Sequence, residues 1–162
     1  MIVSNTSPII NLACIGRLDL LPTLFNEIVI PDAVFNECLA LPNAPGAAEV
    51  RSAPWIRRHA AANLPLIASL RLELDSGEAE AIACAVEVKA RLLLIDERRG
   101  RRVAHRLGIP IVGLIGVLLA AKKKGSVHSI RPLLDELRVI AGFWISDALY
   151  SRALHESGEG LP

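Results

Sequence analysis

Several oxygen-bearing side chains fall where short apolar runs end or helical patterns begin. Ser4-Asn5-Thr6-Ser7 follows the first apolar run, Glu37 sits in the segment opening at Asp32, Glu78 in the segment opening at Ser76, and Asp96-Glu97 closes the run from Leu92. In open α/β sheets ligands gather beyond the carboxyl ends of the strands, so these positions could converge on one pocket. Clustered carboxylates repel one another and suffer desolvation unless a cation neutralises them. A set of oxygens without thiolate or imidazole suits Mg²⁺ or Mn²⁺ better than Zn²⁺. A cation held there can bind a phosphodiester oxygen and activate water for attack on phosphorus, which is nuclease chemistry.

Each position also has a plainer reading. Glu37 is four residues from both Ala33 and Leu41, so on a helix it shares their apolar stripe and needs a partner, which a surface arginine could supply. Glu78 precedes Ile82 by one turn and borders the buried face, yet Asp75-x-x-Glu78 is also a capping-box pattern. Glu80, about 200° away around the helix, is expected to turn toward solvent. Asp96 could cap the helix that follows it, and Asn5-Thr6-Ser7-Pro8 fits a helix start with proline in the first position.

The elements that would position these residues alternate between short β-branched runs and longer helical patterns, the signature of parallel strands joined by crossover helices. Strands are expected at Ile2–Ser4, Glu27–Ile30, Leu92–Ile95 and Ile109–Val112, with a further short one near Trp55–Arg58 that a loop would fit equally well. Helices are expected at Pro8–Ala13, Asp32–Leu41, Ser76–Ala90, Arg98–Leu107 and Ile115–Lys124. Two more, Ile130–Ala141 and Asp147–Glu156, should form a C-terminal pair on the sheet, with Leu133, Leu134, Leu137 and Ile140 on the apolar stripe. Leu41–Arg51, with Pro42, Pro45 and Gly46, reads as an internal loop.

With 162 residues, 52% of them hydrophobic, the chain suits one domain, expected over residues 1–156 with a frayed tail at 157–162. Eighteen Lys plus Arg against seventeen Asp plus Glu name no partner, so any electrostatic signal must be local. Cys14, Cys38 and Cys84 are odd in number and set among apolar neighbours, as for reduced thiols in the cytoplasm. No basic leader and no apolar run of membrane-spanning length is found, so neither secretion nor membrane insertion is expected.

Val3-Ser4-Asn5-Thr6-Ser7-Pro8-Ile9-Ile10-Asn11-Leu12, Ile30-Pro31 with Val34 and Glu37, Leu74-Asp75-x-Gly77-Glu78-Ala79-Glu80-Ala81-Ile82 and Leu94-Ile95-Asp96-Glu97 together resemble PIN-domain proteins of the DUF3368 branch. Gly100-Arg101-Arg102-x-Ala104, Gly113-x-x-Gly116-Val117-Leu118 and Ala121-Lys122-x-x-Gly125 extend the resemblance over nearly the whole chain. The resemblance implies a three-layer α/β/α fold with a central parallel sheet, and an endoribonuclease dependent on Mg²⁺ or Mn²⁺, often the toxin of a toxin–antitoxin pair and often a homodimer. It puts the catalytic and metal-binding positions at Asn5, Glu37, Glu78 and Asp96, with Glu80 as a rival for the third. The family pattern expects Asp where this chain has Asn5. An amide keeps one ligating oxygen but loses the charge, so cation affinity and activity should both weaken. Glu97 could compensate or could point away.

Arg98, Arg99, Arg101 and Arg102, with Arg106 beyond, follow the last acid directly and are the candidate RNA-binding residues. A solvated helix face explains them equally well, and Lys122–Lys124 fit an ordinary helix end. At 4% aromatic content, a base-stacking surface is not the favoured mode. The four histidines are scattered without ligand spacing. The readings to separate are a ribonuclease restrained by a small antitoxin and a catalytically inactive PIN-like module that binds RNA or protein. An aspartyl phosphatase or phosphotransferase is poorly served, because the residue after the first strand is not an aspartate nucleophile.

Overall fold

The computed structural model describes residues 1–160. Five parallel strands, β1 (Ile2–Ser4), β2 (Ile28–Pro31), β3 (Ile56–His59), β4 (Leu92–Leu94) and β5 (Ile111–Val112), form one sheet in the order β3-β2-β1-β4-β5. The chain winds outward from β1 to β3 and then returns to place β4 on the other side of β1. The point of reversal, between β1 and β4, is where a parallel sheet opens a crevice.

The sheet is buried on both faces because its strands are continuous apolar runs: Val3, Ile28, Ile30, Leu93 and Leu94 are all fully buried. Helix α6 (Ser76–Glu87) lies over β1, β2 and β4 and packs with α3 (Asp32–Leu39), α5 (Leu64–Leu70) and α7 (Arg98–Arg106). Helices α2 (Leu20–Phe25), α8 (Leu114–Lys123) and α10 (Asp147–Glu156) form the opposite layer, giving the three-layer α/β/α architecture. Helix α6 can pack closely on several sides because its residues are small: Ala79, Ala81, Ala83 and Cys84 are all buried. The three cysteines are free, and burial pushes the Cys38 and Cys84 thiols up to about 12, so both behave as apolar core atoms.

Several expected boundaries move, each for a local reason. Helix α1 (Thr6–Cys14) starts earlier than predicted, so Pro8 occupies its third position and not its first, and Asn5 is the N-cap residue. The expected α6 end at Ala90 retracts because Lys89 adopts a left-handed backbone with φ of 48°. Helix α3 stops at Leu39, leaving Leu41 exposed. The region read as a loop contains α4 (Ala47–Ser52), and α2 and α5 were not foreseen, each being only six or seven residues long. Strand β3 has a weak signal because it is an edge strand whose Arg57 and Arg58 face solvent.

The C-terminal helices α9 (Arg131–Val139) and α10 pack chiefly on α1 and α8, not on the sheet itself. Leu133, Leu134 and Leu137 are buried as expected, whereas Ile140 lies beyond the helix end and is exposed. The tail expected to fray is pinned through Glu159, whose carboxylate takes Ser129 Oγ, the Ile130 and Arg131 amides and the Lys122 ammonium. Burial works to raise the Glu159 pKa, but those donors outweigh it and bring it down to about 2. Leu161 and Pro162 lie outside the described residues.

Candidate active site

Asn5 and Asp96 stand at the reversal point, one immediately past β1 and the other two residues past β4. The Asn5 amide N–H donates to the Leu94 carbonyl at 2.9 Å, extending the β1–β4 ladder to the crevice. As an N-cap residue Asn5 would ordinarily accept a hydrogen bond from its own helix, but it makes no such bond. Its Nδ2 donates instead to Glu97 Oε2 at 3.1 Å, and its buried Oδ1 has no partner. The amide therefore holds Glu97 inward, answering the question its neighbour's position had left open.

Asp96 does not cap α7, whose N-cap residue is Glu97. Its Oδ1 accepts from the Leu114 amide of α8 at 2.8 Å, while the buried Oδ2 has no partner. Gly113 makes this contact possible, since a Cβ there would come within 2.8 Å of Asp96 Oδ1. Burial pushes the Asp96 carboxyl up to about 6, a rise that Glu97 reinforces and that the Leu114 amide and Arg101 oppose.

Glu78 makes the capping box with Asp75, each side chain meeting the other's backbone amide. That accounts for Oε2 only: Oε1 lies against Gly100 of α7, buried and without an aligned donor. Burial, and then the charges of Asp75 and Glu97, hold the Glu78 carboxyl above the usual carboxylate range, with the Asp75 and Gly100 amides softening the rise. Capping and an inward-facing free oxygen thus coexist on one side chain.

Glu37 differs from these. Thr6 Oγ1 donates to its Oε2 and the Gly77 amide donates to Oε1 at 2.8 Å, so it ties α3 to the first turns of α1 and α6. It braces the residues beside Asn5 and Glu78, and among the described residues it has no arginine partner. Glu80 does not face solvent as expected. Its Oε2 accepts from the Ala33 amide at 2.9 Å, supplying α3 with the capping acceptor that its own N-cap, Pro31, lacks. The two glutamates of α6 point to different elements, and Glu78 is the one beside Gly100.

Asn5 Oδ1, Glu78 Oε1 and Asp96 Oδ2 are buried oxygens without hydrogen-bond partners, and Glu97 lies near all three side chains, bonded to Asn5 and raising the carboxyls of Glu78 and Asp96. Each would cost roughly 1–3 kcal/mol if left unsatisfied in a neutral setting. Among the described residues no group of three or more His, Cys, Asp or Glu side chains closes around a metal position. As chemistry, oxygen donors without thiolate or imidazole are of the kind a hard divalent cation takes.

Of the candidate RNA-binding arginines, Arg98, Arg99 and Arg102 are exposed with no ion-pair partner among the described residues, and all three line a cleft of about 830 Å³ that reaches Asp96. Arg101 is turned inward, donating to the Ile95 carbonyl at 3.0 Å beside Asp96. Arg106 pairs with Glu73 at 2.7 Å. Lys122 and Lys124 hold Glu159 and the Thr23 carbonyl, the structural roles expected at a helix end.

Acidic side chains at the reversal of strand order stand where parallel α/β sheets bind their ligands. The sequence model of DUF3368, a PIN domain, matches residues 1–159, and the chain belongs to that family. PIN domains are a nuclease-type family. No match is found among curated proteins or among solved structures. Among the described residues no helix is long and apolar enough to cross a membrane.

Proposed function

We propose that the protein is an endoribonuclease dependent on Mg²⁺ or Mn²⁺, acting in the cytoplasm as the toxin of a toxin–antitoxin pair and as a homodimer. The observation that carries the catalytic part of this reading is the set of partnerless buried oxygens on Asn5, Glu78 and Asp96 at the β1–β4 crevice. A divalent cation bound there supplies polarisation of a phosphate oxygen and a lowered pKa for attacking water. Asn5 Oδ1, Glu78 Oε1 and Asp96 Oδ2 would hold it, Glu97 adds negative charge through its bond to Asn5, and Glu37 keeps α1 and α6 in register. Arg98, Arg99 and Arg102 would grip the RNA backbone, while Arg101 steadies Asp96.

The test is incubation with mixed RNA and Mn²⁺ or Mg²⁺, beside an EDTA control and Asp96→Asn. Cleavage lost in both controls is the expected result. No cleavage by folded protein at any metal concentration would overturn the reading. A second reading, a module that binds RNA or protein without cutting, is favoured by one observation: the residue after β1 is an amide already committed to Glu97.

A further inference from the structure

Asp96, Arg98 and Arg101 line two clefts at once. On one side lies the basic cleft over α7; on the other, a cleft of about 620 Å³ runs between β5, α8 and α10 and ends at Phe143, Trp144, Leu149 and Arg152. Trp144 is 82% exposed. Its loop is nonetheless braced on both sides: the Phe143 amide bonds to the Leu137 carbonyl at 2.8 Å, and Arg138 donates to the carbonyl of buried Ile145 at 2.8 Å. The indole is thus presented to solvent by a fixed backbone, which lowers the ordering cost of binding against it.

We infer that Trp144 is a base-stacking subsite, on whose indole an unstacked base of the RNA lies while the backbone crosses Asp96 toward the α7 arginines. This rests on the ribonuclease reading and adds to it a contact residue outside the acidic site. An indole offers a face to any base, and Arg152 and Arg98, which line the same cleft, complement the phosphates on either side. The cleft's volume falls in the range that encloses a nucleotide-sized ligand. A duplex keeps its bases stacked and would forgo this contact. Val139 and Ile140 extend the exposed apolar surface beyond Trp144, which makes a second copy of the chain the competing occupant.

The chain has two tryptophans, so Trp55→Phe leaves Trp144 as the sole indole emitter. This variant is titrated in EDTA with a single-stranded RNA oligonucleotide and with the same sequence as a duplex. Quenching of Trp144 emission by the single strand is expected. In an otherwise unaltered chain, Trp144→Ala should weaken single-strand affinity by about tenfold, with Trp144→Phe retaining most of it and duplex affinity changing less than twofold. Single-strand binding without quenching, and unaltered in Trp144→Ala, would overturn the subsite; Mn²⁺-dependent cleavage of the same oligonucleotide would then show that the nuclease reading survives. Emission that responds to protein concentration and not to RNA assigns Trp144 to an interface between copies and also overturns it. Absence of both RNA binding and cleavage overturns the subsite and the nuclease reading together.

Discussion

Asp96→Asn should make the metal-free protein more stable at neutral pH while removing its response to metal. The folded structure raises the Asp96 carboxyl from 3.8 to about 6, chiefly by burial. At about 1.4 kcal/mol per pH unit, ionising it in the folded protein costs up to roughly 3 kcal/mol. Between pH 4 and 6 the folded state binds more protons than the unfolded one, so stability falls as pH rises through this window. The full penalty is present at pH 7.5 and is relieved on acidification toward pH 4. An asparagine keeps the oxygen that accepts from Leu114 and removes the charge. At about 2–4 °C per kcal/mol for a chain of this size, the variant should melt several degrees above wild type at pH 7.5 in EDTA. The gap should narrow by pH 5, where part of the wild-type penalty is gone. With Mn²⁺ the order reverses, because wild type gains the stabilisation that follows ligand binding to the folded state. Melting curves of both proteins at the two pH values, with EDTA or Mn²⁺, contain the whole test. A variant less stable than wild type at pH 7.5 in EDTA, or an equal Mn²⁺ response in both, would refute the reasoning.

Asn5→Asp replaces the donor to Glu97 with a second carboxylate about 3 Å away, so the metal-free protein should lose roughly 1–3 kcal/mol and its Mn²⁺ dependence should steepen. A rise in cleavage favours a weakened nuclease, and unchanged inactivity favours the binding module. Glu159→Gln should cost up to about 3 kcal/mol at pH 7, from a carboxyl held near 2 against an ordinary 4.5. Because that pKa is depressed, its stabilisation is present above about pH 4.5 and lost on acidification toward 2, so denaturant midpoints of variant and wild type should converge as pH falls; a constant gap would count against it. Gly113→Ala introduces a Cβ 2.8 Å from Asp96 Oδ1, and should cost about 1–2 kcal/mol in chemical denaturation while blunting the Mn²⁺-induced rise in melting temperature. An unaltered metal response would show that Asp96 need not sit against the Leu114 amide.

The sheet was legible because its central strands are buried on both faces and therefore read as uninterrupted apolar runs. Helix α6 was legible through its capping box, and Glu78 through its place one turn before Ile82. What could not be read were the contacts that depend on pieces meeting across the fold. Nothing around Glu80 announces that it will cap α3, because the Ala33 amide it reaches is 47 positions away. Glu159 looked like a frayed tail for the same reason: the donors that fix it come from α8 and the start of α9. The short helices α2, α4 and α5 span at most two turns, too few for a periodicity to register. Low aromatic content argued against a broad stacking surface, and a composition cannot reveal that one tryptophan stands exposed on a braced loop in a cleft shared with Asp96.

Asn5 is best understood together with Glu97. An aspartate after β1 would carry its charge on a buried side chain fixed by the β1–β4 ladder. In this chain the charge sits one residue beyond Asp96 instead, on Glu97, and the Asn5 amide draws it back to the crevice at 3.1 Å. The same amide leaves its own buried oxygen without a partner. The negative charge near the partnerless oxygens is therefore retained, but on a longer side chain at the less buried start of α7, where the uncharged Asn5 amide is the donor that holds it. The consequence for chemistry is specific: cation affinity should depend on the Asn5–Glu97 pair as a unit, and the loss of either member should matter about as much as the loss of both.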